Sequence, residues 1–125
     1  MQILIAISLF IAGLIHVTPA IGVLGKEQLA RLYGLPISDP NLLVLMRHRA
    51  VLFLVVGLLL WLAIIRAEYR LIAVAFGLLS TISFLFIVYT TPEYNAQLAR
   101  IAQVDIVAVI LLLFVGATLV TGSAR

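Results

Sequence analysis

Arg47, His48 and Arg49 follow one another near the start of an apolar stretch that runs from Asn41 to Ile65. A charged side chain in hydrocarbon costs about 2.5–3.5 kcal/mol on insertion scales, so it persists only with a partner, a wet cavity or a job. Guanidinium groups present forked donors that suit anionic head groups. An imidazole titrates near neutrality and serves as acid or base. The chain offers His16, Glu93 and Asp105 as answering groups. The most sensible chemical pairing makes His16 an acid/base group, oriented or tuned by Asp105, which gives two candidate catalytic residues. Arg47, His48, Arg49, Tyr89, Glu93 and Gln103 are candidate ligand-binding residues in the same polar layer. No serine or threonine stands out as a nucleophile.

Each residue also has a plain structural reading. Arginines near helix ends snorkel to the membrane surface as anchors. An aspartate in the first turns of a helix complements the N-terminal dipole and pairs with an arginine. A histidine on a packing face is often hydrogen-bonded and inert, and His48 reads more readily as a surface residue than as a ligand. His16 is the hardest to dismiss, because it lies far from either end of its span. Pro19, three residues on, frees a carbonyl near Ile15 and bends the helix. A haem held by His16 and His48 is compatible with their similar depth, but bulky neighbours and the lack of a paired-histidine motif weigh against it. The chain has no cysteine, which removes disulfides, cysteine-ligated zinc, iron–sulfur clusters and thiol nucleophiles together. No metal site is expected, and the cofactor is left unknown.

The elements that must position these groups are set by composition. Hydrophobic residues make up 65% of the 125 and charged residues 10%, against about 45–50% and about 25% in soluble domains. The apolar excess forms long runs, so it faces lipid. The sequence predicts an all-α, four-helix transmembrane bundle in one integral membrane domain, residues 1–125, with spans at about 3–24, 41–65, 71–91 and 101–121. The first run lacks a basic leader and is longer than a secretory h-region, so it reads as a retained span. Leu29, Leu32 and Tyr33 at helical spacing, with Gly34 as a stop, predict a short amphipathic helix at the membrane surface between helices 1 and 2. Pro36 and Pro40 bracket an irregular run into the second span. The segment from Pro92 to Arg100 is a short connection, read either as a loop or as an early start of the fourth helix. Ser8, Ala12, His16 and Ala20 on the first span, and Ala73, Gly77 and Thr81 on the third, form small-residue rows of the kind that let membrane helices approach. His16 is thereby expected to face the bundle. Arg47, three residues before Ala50, is expected to face inward too, with Ala50 and Gly57 as packing positions.

Call the side with the termini side A and the other side B. His16, the Arg-His-Arg run, the Tyr89–Tyr94 region and Asp105 all fall toward side B, roughly 5–12 Å below the surface at 1.5 Å per residue. The A half holds little beyond Ser8, Ser80, Thr81, Ser83, Thr118 and Thr121. Side A carries Arg66, Arg70 and Arg125, and side B carries Lys26, Arg31 and Arg100. The short basic turn Arg66–Arg70 favours cytoplasmic termini, whereas counting Arg47 and Arg49 for side B reverses the balance. The net charge of +3 is scattered, with no basic stripe, so nucleic acid is not an expected partner.

Leu32-Tyr33-Gly34, Asn41-Leu42-Leu43, the run Leu45-Met46-Arg47-His48-Arg49-Ala50-Val51-Leu52-Phe53 and Ala102-Gln103-Val104-Asp105 resemble a signature of small bacterial four-helix membrane proteins, the DoxX-like group. The resemblance spans nearly the whole chain, and the Arg-His-Arg-Ala run is its distinctive part. It implies a bacterial-type inner membrane and a quinone or redox partnership, and it carries over no catalytic residues. Sequences of this kind often bear the label phosphopantetheine adenylyltransferase. That activity would need a glycine-rich phosphate loop and alternating strands, which this chain lacks. The layout is also similar to small multidrug exporters, but those rely on a carboxylate in the first helix and the first three spans here contain none. The expectation is a membrane protein that binds a small lipid-like or quinone-like amphipathic molecule at an intramembrane polar layer, with or without acid/base chemistry. The alternative is a non-catalytic accessory or structural subunit. A homo-oligomer or a partner subunit fits either.

Overall fold

The computed structural model describes residues 1–123. Its helices are α1 (Gln2–Val17), α2 (Lys26–Tyr33), α3 (Pro40–Ile65), α4 (Arg70–Thr90) and α5 (Ala96–Val120). A 3₁₀ segment, Thr18–Leu24, extends α1, and a 3₁₀ turn, Ala67–Tyr69, joins α3 to α4. The fold is all-α, with no strand among the described residues. Four helical stretches are long and apolar enough to cross a membrane: Gln2–Leu24, Pro40–Ile65, Ala67–Thr90 and Ala96–Val120. Only 22–33% of the most apolar window of each is buried inside the bundle, so most of that surface has no protein to cover it. These spans mark an integral membrane protein. Arg125, counted for side A, lies outside the described residues.

Helix ends follow local chemistry. Asp39 caps α3, its carboxylate accepting from the backbone N–H groups of Asn41 (2.7 Å) and Leu42 (3.3 Å), while Pro40 supplies a φ suited to the first turn. Asn95 caps α5 by accepting from the Leu98 N–H at 2.9 Å, so this helix starts at Ala96 and not near Ile101. Pro19 does not break the first span outright. The α-helical ladder gives way to 3₁₀ geometry from Thr18, whose hydroxyl donates to the Leu14 carbonyl at 2.7 Å. Gly34 ends α2 in the left-handed region, φ 66°, with its N–H bonded to the Ala30 carbonyl.

The small-residue rows do meet neighbours. Ser8, Ala12 and His16 are buried on α1, as are Ala73, Gly77 and Thr81 on α4. Gly57 on α3 sits against α1 so closely that a Cβ there would lie 3.0 Å from the Gly13 carbonyl oxygen and 3.1 Å from the Val17 nitrogen. Trp61 locks the same crossing, stacking on Phe10 and donating to its carbonyl at 3.1 Å. On side A, Arg66 pairs with Glu68 and the buried Arg70 donates to the Ala63 carbonyl at the end of α3.

Two apolar clusters result. One fills the A half, with Ile5, Leu9, Leu60, Ala73, Leu112 and Val115 among its members. The other closes the B end, where Leu29, Tyr33 and Ile37 pack with Leu43, Met46, Leu98 and Ile101. The short amphipathic helix expected between the first two spans is present as α2, at the B end of the bundle. Its apolar stripe is buried on the bundle itself, and Asn95 donates from its side chain to the Tyr33 carbonyl at 2.7 Å. A Cβ at Gly34 would collide with Gln97, so the α2 terminus lies hard against α5. The helix is a cap over the bundle.

Candidate functional site

Between the two clusters lies a cavity of about 320 Å³. All five helices contribute to its wall: Leu14, Ile15 and His16 from α1, Leu32 and Tyr33 from α2, Arg49 and Phe53 from α3, Phe84 from α4, and Arg100, Ile101, Val104 and Asp105 from α5. Thr18 and Pro19 complete it from the 3₁₀ segment, where the change of helix type makes room. The wall is overwhelmingly apolar, with a few convergent polar groups, as ligand sites generally are.

His16 is 2% exposed and continues the Ser8–Ala12 row. Its Nδ1 lies 2.8 Å from the Ala12 carbonyl oxygen. A carbonyl can only accept, so Nδ1 carries a proton. Nε2 is buried and has no hydrogen-bond partner among the described residues. A buried polar atom without a partner costs about 1–3 kcal/mol, which makes this nitrogen the least satisfied group in the wall. Asp105 is 7% exposed and its carboxyl has no hydrogen bond and no cation within 4 Å among the described residues. Because α5 begins at Ala96, Asp105 lies well inside its helix, beyond the reach of an N-terminal cap.

Arg49 is half-buried and is held by aromatic rings. Its guanidinium carbon lies 4.7 Å from the Phe53 ring centre, 5.2 Å from that of Tyr33 and 5.5 Å from that of Phe84. One of its terminal nitrogens donates to the Tyr33 hydroxyl at 2.8 Å. Each cation–ring contact is worth about 0.5–2 kcal/mol, more when dry. The cation therefore rests in the membrane without a carboxylate touching it. Burial pushes the Tyr33 phenol above its ordinary value, against the opposing pull of Arg49. Tyr33 thus remains a neutral phenol that accepts from Arg49. A second, shallower cavity of about 240 Å³ between α3 and α4 shares Arg49, Phe53 and Phe84 with the first. Leu52, Val56, Ser80, Ser83 and Ile87 line the rest of it.

The polar layer expected from the sequence is only partly assembled. His16, Arg49 and Asp105 share one cavity. Arg47 does not: it is outward-facing, and its Nε donates to the Val23 carbonyl at 2.8 Å, satisfying an orphan carbonyl at the end of the 3₁₀ segment. The reason is angular. At about 100° per residue, Arg47 and Arg49 flank the Met46–Ala50–Gly57 stripe on opposite sides, and Arg49 is on the Phe53 side, which faces the cavity. His48 faces outward and lies off the cavity wall. It does not share a site with buried His16, so the two do not frame a haem pocket. Tyr89 is 58% exposed, one residue past the inward Val88. Glu93 sits exposed in the turn after α4 with φ 62°. Gln103 is exposed because Ala102 and Asp105 take the inward face of α5.

Among the wall residues that the sequence did not single out for the site, Tyr33, Phe53, Phe84 and Arg100 carry the aromatic and charged character. The step of four from Arg49 to Phe53 was a usable signal, since it stacks the two on one helix face. Tyr33 carried the signal of a stripe seeking cover, but not the identity of the cover. No group of three or more His, Cys, Asp or Glu residues suited to a metal ion occurs among the described residues.

The fold and cavity define a small helical membrane protein with an aromatic-lined, sparsely polar interior site. No protein-family model, curated protein or solved structure matches the chain.

Proposed function

We propose that this protein binds a small lipid-like or quinone-like amphipathic molecule in the five-helix cavity, with its polar end among His16, Arg49 and Asp105. The observation that carries this reading is the unpartnered, buried Nε2 of His16 in a cavity whose wall also holds Asp105, buried and without a hydrogen bond among the described residues. A ligand that bonds to Nε2 would remove a desolvation cost of about 1–3 kcal/mol. His16 and Asp105 are the groups able to exchange a proton with such a ligand. The DoxX-like resemblance supports the quinone-like alternative and a bacterial-type inner membrane. The basic turn Arg66–Arg70 supports cytoplasmic termini, with the cavity then nearer the outer leaflet.

The second reading is an accessory or structural subunit, alone, self-associated or beside a partner, whose polar groups are internal glue. The bond from Arg49 to Tyr33 favours it. Glue, however, works through mutual satisfaction, and His16 and Asp105 lack it.

Native mass spectrometry of gently purified protein tests the two. A co-purifying mass is expected on the wild type and on Arg47→Ala, and is expected to be lost from His16→Ala and Arg49→Ala. Folded His16→Ala and Arg49→Ala variants that carry the same mass as wild type would refute binding at this site.

A further inference from the structure

The binding reading leaves the polar end of the ligand undefined, and the inventory of donors and acceptors narrows it. With Nδ1 committed to the Ala12 carbonyl, the neutral His16 ring presents Nε2 as a lone pair. Asp105, unbonded among the described residues, presents carboxylate oxygens when ionised. Both groups then need a donor from the ligand. Arg49 has spent one N–H on Tyr33 and presents its remaining N–H groups, which need an acceptor. Inside the cavity the formal charges of Arg49 and Asp105 cancel. Arg100 belongs to the wall but is exposed, so its charge is open to water and lipid head groups.

We propose that the cavity selects an uncharged amphiphile whose head both donates and accepts hydrogen bonds, an alcohol or primary amide on an alkyl chain, over an anionic one. This rests on the binding reading above. An anionic head brought to Arg49 would put a second negative charge in the cavity with Asp105, with one half-buried cation to serve both. In a medium of low dielectric, an unbalanced charge is what a site rejects most strongly. A hydroxyl, by contrast, donates its O–H to Nε2 or Asp105 and accepts one N–H from Arg49, and a primary amide has two N–H groups for Nε2 and Asp105 and a carbonyl that accepts from Arg49, in each case with no added charge. The apolar groove shared through Phe53 and Phe84, with Leu52, Val56 and Ile87, is where the chain lies.

The test uses the full chain in phosphatidylcholine nanodiscs and three photo-crosslinking probes with one common diazirine-bearing chain: a monoacylglycerol, a fatty amide and an alkyl sulfonate. Cross-linked peptides are mapped by mass spectrometry. The two neutral probes are expected to label cavity-wall peptides at least about tenfold more than the sulfonate, which brings a negative charge that the cavity does not balance. His16→Leu is expected to lower neutral labelling by a similar factor. Asp105→Asn, which leaves Arg49 uncompensated, is expected to swing the preference toward the sulfonate. Stronger labelling of the wild-type cavity by the sulfonate overturns the selectivity while leaving the binding reading intact. Labelling confined to the lipid-facing surface with all three probes, together with no co-purifying mass, overturns both.

Discussion

Arg49 shows how a charge is kept in a membrane without a counter-ion in contact. Three rings face its guanidinium and one phenol accepts from it. Ring quadrupoles supply attraction that does not itself require desolvating a carboxylate. Tyr33 is central, since it contributes both a ring and the only hydrogen-bond acceptor Arg49 has among the described residues. Removing that hydroxyl in Tyr33→Phe is expected to cost about 1.5–3 kcal/mol, the worth of a bond to a charged group, in reversible unfolding from detergent micelles. The pH dependence has a defined sign. The folded-state value of Tyr33 is raised by burial, so the folded protein holds the phenol proton more tightly than the unfolded chain does. Its contribution is therefore complete below the unfolded value near 10 and is lost as pH climbs through the folded value. Unfolding free energy measured upward from pH 9 is expected to fall more steeply for wild type than for Tyr33→Phe. Parallel slopes would show that the phenol gains nothing from its burial.

At the scale of elements, the site depends on α2 staying closed over the bundle. Two bonds of Asn95 join the α2 and α5 ends: it accepts from Leu98 and donates to the Tyr33 carbonyl. Asn95→Ala removes a helix cap and a tertiary bond together, at an expected cost of about 1–3 kcal/mol. Hydrogen exchange localises the effect. Amides of Lys26–Tyr33 are expected to exchange faster in the variant, while the α1–α3 crossing at Gly13 and Gly57 keeps its protection. Uniformly faster exchange would mean that α2 is no separate cap. Little of this closure was legible in the sequence. The spacing of Leu29, Leu32 and Tyr33 marks an amphipathic helix, but lipid and protein cover an apolar stripe equally well. The four spans were legible because length and hydropathy alone decide them. The inward face of α3 was legible at Ala50 and Gly57, where small residues signal approach. It misled at Arg47, because two arginines two residues apart flank one stripe and only the three-dimensional neighbours decide which is enclosed. Asp105 could not be placed from sequence either, since its depth depends on where α5 starts, and that start is set by the Asn95 cap.

For the whole molecule, the notable asymmetry is vertical. The A half is an apolar core closed by Arg70 against the end of α3, and the B half holds the cavity and its cap. With cytoplasmic termini, the cap faces outward. The natural absence of cysteine makes this easy to check. A cysteine at Glu93 is expected to react with a membrane-impermeant maleimide added to intact cells, and one at Glu68 only after the membrane is opened. The reverse pattern would invert the molecule in its membrane. The cavity lies on the inner side of the B-end cluster, whose Leu32, Tyr33 and Ile101 form part of its wall, and its least satisfied atom is Nε2 of His16. Solid-state NMR of the protein with ¹⁵N-histidine in bilayers reads that atom directly, before and after the bound molecule is stripped by detergent exchange. The prediction is a protonated Nδ1 in both samples and an Nε2 resonance that carries a hydrogen-bond shift only while the molecule is present, with His48 unchanged. An Nε2 signal identical in the two samples would contradict ligand binding at His16.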